Sequence, residues 1–190
     1  MKGLYSYIAD SWKKPKDVYR EKLLEWRKQG NIVRIEKPTR LDRARALGYK
    51  SKKGIIVVRV KILRGGRKRE SRKGLGRKNK RQTIRKTLKM NYRWVAEQRV
   101  QRKFPNMQVL NSYWLAKDGK FYFFEVILVD PSRPEIKSDK QLNWLCNKKN
   151  QGRVFRGLTS AARKSRGLRR KGIKAIKVRP SLRAHQRQGK

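Results

Sequence analysis

In 190 residues the chain has one cysteine, Cys146, one histidine, His185, and only 13 acidic side chains. A single thiol makes no internal disulfide framework, and a cysteine-based zinc site needs at least two thiolates. A single imidazole has no second histidine to share a metal, and a thiol without a neighbouring base is no nucleophile. No apolar run approaches the roughly 18 residues of a membrane span. The opening MKGLYSYIADSWKK lacks an apolar stretch followed by a small-residue cleavage site, so secretion is not expected and a reducing compartment is. The carboxylates are scattered, and no second acid lies near Glu125 in sequence. Glu125, inside an apolar segment, reads either as a buried acid paired with Arg or Lys, or as a residue on a face that meets solvent or RNA. Asp130, ahead of Pro131, reads as a turn cap. The Gly-rich GLGRKNKR at 74–81 lacks the Gly-Lys-Ser/Thr ending and the strand-to-helix setting of a phosphate-binding loop. No catalytic residues, metal site, small-molecule substrate or membrane partner are therefore expected.

What the chain has is positive charge. Lys and Arg number 56, and the formal net charge is +43. A globule carrying that charge repels itself unless an anion lies against it, and a polyanion, nucleic acid first, is the partner this implies. Residues 64–90 carry +12 and residues 147–190 carry +16 with no acid at all. Both segments are rich in Gly and too poor in apolar side chains to offset their chain entropy, so both are expected to lack fixed structure alone and to order on the partner. The chain divides by charge into a core of 1–63 and 91–146, a basic insertion at 64–90 and a basic C-terminal extension at 147–190. So many cations per segment exceed what one duplex groove takes and suit a segment threading between several nucleic-acid helices. Charge alone nominates Arg72, Lys73, Arg77, Lys78 and Arg81 in the insertion, and Arg169, Arg170 and Lys171 in the extension. Zinc-finger, helix-turn-helix and zipper patterns are missing, as are the paired aromatics of an RNA-recognition sheet, which leaves recognition of shape and backbone.

Hydrophobic residues are 36% of the chain, a modest amount, and they cluster in the core. Residues 3–13 read as a short helix with Tyr5, Ile8 and Trp12 on one face. Residues 16–29 read as a second, with Tyr19, Leu23 and Trp26 as its buried stripe and Gly30 as its stop. IVRIE at 32–36 alternates like a strand. Thr39 and Asp42 have capping-box spacing ahead of a helix at 41–47 that ends at Gly48. IIVVRVKIL at 55–63 is the clearest strand, with Val58, Val60 and Ile62 on one side and Arg59 and Lys61 on the other. A helix is expected at 91–103, then a hairpin of 107–116 and 121–129 around Lys117-Asp118-Gly119-Lys120. FYFFEVILV is apolar on both faces and belongs in the middle of the sheet. The fold class is α+β: a small mixed or antiparallel sheet with packed helices, plus the long basic extensions.

Four runs carry a family resemblance: LDRARALGYKSKKG (41–54), VVRVKILRGGRKR (57–69), LNSYWLAKDGKFYFFEVILVDP (110–131) and RGLTSAARKSRGL (156–168). Together they resemble the L-fifteen-e family of large-subunit ribosomal proteins of archaea and eukaryotes, in order over nearly the whole chain, and the length resembles the archaeal branch. The resemblance implies a non-enzymatic structural constituent of the cytoplasmic ribosome. It would have an α+β body, RNA-penetrating extensions, and large-subunit rRNA and other large-subunit ribosomal proteins as partners. No cofactor is implied beyond the Mg2+ and monovalent ions that accompany rRNA. The RGGRKR run places Arg64, Arg67, Lys68 and Arg69 against RNA. TSAARKSRG does the same for Arg163, Lys164 and Arg166, and GYKSKKG adds Lys50, Lys52 and Lys53. The competing readings are a DNA-compacting, chromatin-like basic protein and an RNA-modifying or RNA-cleaving enzyme that uses Glu125 or Asp130.

Overall fold

The computed structural model describes residues 2–13, 18–66, 88, 90–170, 172–181 and 183–186. Two helices come first, α1 (Leu4–Ser11), slightly shorter than its apolar spacing implies, and α2 (Val18–Lys28); residues 16–17 of the expected second helix lie outside the described residues. Trp26 is buried, and Tyr19 and Leu23 pack beside the same core, so the expected stripe of α2 faces inward. Strand β1 (Ile32–Ile35) and helix α3 (Leu41–Ala46) follow. Gly48, just past α3, takes φ +95°, the left-handed conformation that ends a helix without Cβ strain.

Strand β2 (Ile55–Leu63), helix α4 (Tyr92–Lys103), and strands β3 (Gln108–Lys117) and β4 (Phe121–Val129) complete the body. The sheet is antiparallel throughout, in the order β1-β2-β4-β3. β4 is internal, as its composition implies, because both its faces are covered. Phe123, Ile127 and Val129 enter one core with Trp26, Ala44, Tyr113 and Leu115. Phe124, Val126 and Leu128 enter the other, with Val58, Val60, Ile62, Ala96 and Val100. The hairpin turn is locked by Asp118: its Oδ1 accepts from the Lys120 N–H at 2.7 Å and the Phe121 N–H at 2.5 Å, and its Oδ2 from Arg27 Nε at 2.7 Å. Burial works to raise the Asp118 carboxyl, but these donors outweigh it and hold the carboxyl low.

Thr39 departs from the expected capping box. The residue at the α3 N-cap is Arg40, with no side-chain cap. Thr39 instead donates its hydroxyl to Glu125 Oε1 at 2.5 Å and its N–H to both carboxylate oxygens at 3.2 and 3.3 Å. Tyr113 donates its hydroxyl to Glu125 Oε2. Glu125 is opposite Arg59 on one neighbouring strand and Tyr113 on the other, so the three form one row across the sheet. The buried-acid reading of Glu125 therefore holds, with hydroxyls as its bonded partners and the Arg59 charge acting across the row. Burial pushes its carboxyl up, against the pull of those hydrogen bonds and that cation.

The division drawn at residue 146 follows charge, and packing runs across it. Helix α5 (Pro134–Lys137) and two 3₁₀ turns, Asn143–Cys146 and Lys148–Asn150, lead to Val154, which is fully buried in the second core. Helix α6 (Ser160–Ser165) is capped by Thr159 and buries Ala161 and Ala162. Thr159 also donates its hydroxyl to buried Glu97 of α4 at 2.5 Å, and Ser112 of β3 donates to the other Glu97 oxygen at 2.5 Å. Trp94 Nε1 donates to the Val154 carbonyl at 2.8 Å, and Asn91 Nδ2 to the Ala161 carbonyl at 2.9 Å. The expectation that 147–190 lacks fixed structure is thus corrected over 147–170: a few small or branched apolar residues and one buried carboxylate are enough to anchor a segment with no acid of its own.

Glu125→Ala leaves the Tyr113 and Thr39 donors and the Arg59 charge without their acceptor. The expected loss is about 3 kcal/mol of unfolding free energy by urea titration; a loss below about 1 kcal/mol would contradict the row. The pH dependence has a defined sign. A carboxyl raised in the folded state keeps its proton longer there than in the unfolded chain. Its contribution to stability therefore falls as pH rises from the unfolded value, near 4.5, through the raised folded value. Wild type minus Glu125→Gln should show that descending component.

Candidate nucleic-acid interface

Half of the expected contacts lie among the described residues. Lys50 and Lys52 lie in the loop between α3 and β2, and both reach Asp139: Lys50 Nζ is 2.8 Å and Lys52 Nζ 2.9 Å from Oδ2. Asp139 Oδ1 also accepts the Gln141 N–H at 2.9 Å. The two ammonium groups, Lys50 first, hold this carboxyl far below the usual aspartate range. Lys53, beside them, is exposed. Arg64 leaves the end of β2, donates to the Asp118 carbonyl at 2.5 Å and lies 5.0 Å above the Tyr122 ring. Lys50, Lys52 and Arg64 therefore have intramolecular partners that the basic runs do not reveal.

Arg163 and Lys164 are exposed on α6, and Arg166 at its end donates to the Gly157 carbonyl at 3.0 Å. Gly157 has φ +74°, and a Cβ there would fall 2.8 Å from Arg166 Cδ, so a side chain here is strained and displaces Arg166. Arg169 is exposed and donates to the Ser160 hydroxyl. Arg170 is exposed, and its carbonyl accepts from Arg179 Nη2 at 3.1 Å. Arg67, Lys68, Arg69, Arg72, Lys73, Arg77, Lys78, Arg81 and Lys171 lie outside the described residues.

The fold also assembles a basic cluster that no run contains. Arg93 of α4 donates to Ser112 Oγ and Asn111 Oδ1, both at 2.8 Å. Burial lowers its pKa; Glu97 opposes this, and the Arg43 and Arg169 cations, close enough to repel it, add to the lowering. Three segments far apart in sequence thus bring like charges to one place. Chain order gives no hint of this, since the cluster comes from α3, α4 and the residues after α6 meeting around β3.

Guanidinium groups also sit over aromatic rings: Arg153 over Trp144 at 4.7 Å, Arg102 over Phe155 at 5.9 Å, Arg45 over Tyr5 at 5.7 Å. All three rings are more than a third exposed. Surfaces that hold single-stranded or looped RNA combine cations with exposed aromatic rings in this way.

The acids show the reverse distribution. Glu97 and Glu125 are fully buried, and Asp118 and Asp139 are buried and salt-bridged. Asp42 pairs with Arg40 at 3.1 Å, and Asp10 with Lys13 at 2.6 Å. Glu21, Glu25 and Glu36 are exposed, but cations far outnumber acids on the described surface. Cys146 packs partly buried against the first core, and a ring nitrogen of His185 is 2.6 Å from the Arg179 carbonyl. Among the described residues no three His, Cys, Asp or Glu side chains gather to hold a metal, and no helix is long and apolar enough to cross a membrane.

A protein-family model described as Ribosomal L15 matches residues 3–185. The chain is 53% identical over 196 residues to the large ribosomal subunit protein eL15 of Methanocella arvoryzae, over the full length of both. It is 50% identical to the protein of that name from Methanospirillum hungatei and 51% identical to that from Methanocorpusculum labreanum. Each of these alignments covers all of this chain and 99% of the relative.

Asp139 ties the Lys50–Lys52 loop to the start of the 3₁₀ segment. Its depressed pKa means that its contribution is complete above the unfolded value, 3.8, and is lost as pH falls through the lower folded value. Asp139→Ala is expected to lower the thermal midpoint at neutral pH, and the gap from wild type should close in strong acid. A gap that stays constant down to pH 2 would contradict the two-lysine clamp.

Proposed function

The chain belongs to the Ribosomal L15 family, and on that premise we propose that it is a structural constituent of the large ribosomal subunit. It binds folded large-subunit rRNA by phosphate neutralisation and so supports subunit assembly and translation. Its role is architectural rather than catalytic, and its location is the ribosome of the cytoplasm. The name carried by its relatives supports the assignment to the large subunit. The observation that carries the mechanism is the distribution of charge: Glu97, Asp118, Glu125 and Asp139 are buried, whereas none of the described Lys or Arg side chains is.

Each phosphate neutralised by Lys or Arg releases condensed counterions, which gives affinity without reading sequence. The sheet and its helices hold the basic segments at fixed points of origin. Arg64 starts the insertion from the end of β2, and α6 starts the extension from the edge of the second core. From those points Arg67, Lys68, Arg69, Arg72, Lys73, Arg77, Lys78 and Arg81 run among RNA helices, as does Lys171. Lys53, Arg163, Lys164, Arg166, Arg169 and Arg170 meet phosphates at the surface of the body. Lys50, Lys52 and Arg64 act at the boundary, each with an internal partner that holds it when RNA is absent. Neighbouring large-subunit proteins complete its surroundings.

The test is sedimentation of a native lysate on sucrose gradients. The protein should travel with the large subunit at low salt and leave it only at high salt. RNase should release it and DNase should not. Release by DNase alone would favour DNA compaction, and a position at the top of the gradient at low salt would overturn the reading.

A further inference from the structure

One cleft stands apart from the basic runs. It lies between α1, α2 and the far end of β3 and encloses about 510 Å³, a volume ordinary for a small-molecule cleft. Its walls are Trp12, Tyr19, Leu23 and Trp114, and Arg20 and Lys117 stand at its rim. Lys13 is at the same rim but is paired with Asp10.

The walls are of two kinds. Tyr19 is pinned: its hydroxyl donates to the Leu115 carbonyl at 3.1 Å, its ring meets Trp12 edge-on at 4.7 Å, and burial pushes its phenol up to about 12. Trp12 is held from another side by Arg40, 5.1 Å from its ring. Trp114 is different. It sits on the edge strand, at a break in the register with β4, and is 45% exposed. A cleft lined by two rings held in place, a third ring left open at a break in the edge strand, and two unburied cations is an arrangement that a flat aromatic group with an attached anion fits.

We infer that this cleft takes a single unstacked RNA base, with Trp114 as its stacking surface and Arg20 and Lys117 beside the phosphates flanking it. The inference deepens the rRNA-binding reading above and rests on it. It adds a contact in which a base, and not only its backbone, is held. A nucleotide brings both parts: a π-face for the open ring and a phosphate for the rim. An apolar segment of a neighbouring protein would meet the ring but leave the rim cations unmatched, so charge complementarity favours the nucleotide.

The experiment compares a labelled 12-nucleotide RNA with an abasic sugar–phosphate oligomer of the same length. Both are titrated by anisotropy against the full chain at one salt concentration. Trp114 is largely exposed, so Trp114→Ala is compatible with the fold, which circular dichroism checks. Expected is a base-dependent preference that Trp114→Ala reduces roughly tenfold, the scale of one base–aromatic stack. Trp114→Phe should retain it, Tyr7→Ala outside the cleft should leave it in place, and the affinity for the abasic oligomer should not change. Equal preferences in wild type and Trp114→Ala would overturn the cleft while leaving phosphate neutralisation standing. Failure of both oligomers to bind would instead remove the rRNA-binding reading beneath it. In the native large subunit, ultraviolet cross-linking should leave a nucleotide adduct on the Trp12, Tyr19 or Trp114 peptide. A cross-link from that cleft to another protein would also overturn the inference.

Discussion

Mutual repulsion among 56 cations is the constraint that the rest of the molecule answers to. With 13 carboxylates to set against them, the chain has too few acids to neutralise its surface. It uses them where one negative charge does the most. Asp118 closes the β3–β4 turn and fastens α2 to it through Arg27. Asp139 gathers two lysines from another loop. Glu97 and Glu125 lie fully buried, one under each face of the sheet, where the effective dielectric is low and each hydrogen bond is stronger than in water. A protein with mixed surface charge can place its acids almost anywhere. Here these four hold together segments that the net charge drives apart.

The two glutamates do different work because the faces differ. Glu125 lies in a row with Arg59 and Tyr113 and ties the loop before α3 to the middle of the sheet through Thr39. Glu97 lies between α4 and β3 and ties the start of the C-terminal segment to both through Thr159. Burial raises both carboxyls, which marks the cost of placing them inside; hydroxyl donors and nearby guanidinium groups offset that cost. The C-terminal segment is basic along its whole length, yet its first part is built into the body by one threonine, one valine and a pair of alanines.

Strands were the most legible elements of the sequence, because their cause is local. β2 occupies the span its β-branched run implies, and β4 lies inside the sheet because nine consecutive positions carry apolar or buried side chains. Thr39 misled because its spacing to Asp42 satisfies a local rule, while a stronger acceptor, a buried carboxylate 86 residues away, takes its hydroxyl. Glu97 went unnoticed because a single acid in a basic helix looks like a solvated surface residue. Only the folded arrangement puts Ser112 and Thr159 against it. Charge gives no sign of the packing over 147–170: net charge is summed along the chain, whereas anchoring depends on a few side chains that barely change the sum. The Arg43–Arg93–Arg169 cluster was illegible for the same reason, being made by topology.

The internal partners of Lys50, Lys52 and Arg64 bear on how such a chain survives before it meets RNA. A cation bonded to a buried carboxylate or to a turn carbonyl has its charge partly met within the molecule, so the body folds with less repulsion than its composition implies. The same bonds limit what these residues gain from phosphate, since forming a new contact means giving up or sharing an existing one. Arg163, Lys164 and Arg170 stand exposed on and just beyond α6. On the proposed function, the electrostatic gain on assembly falls mainly on the surface of α6 and on the basic runs. The loop at 50–53 and the end of β2 contribute chiefly by fixing where those runs begin.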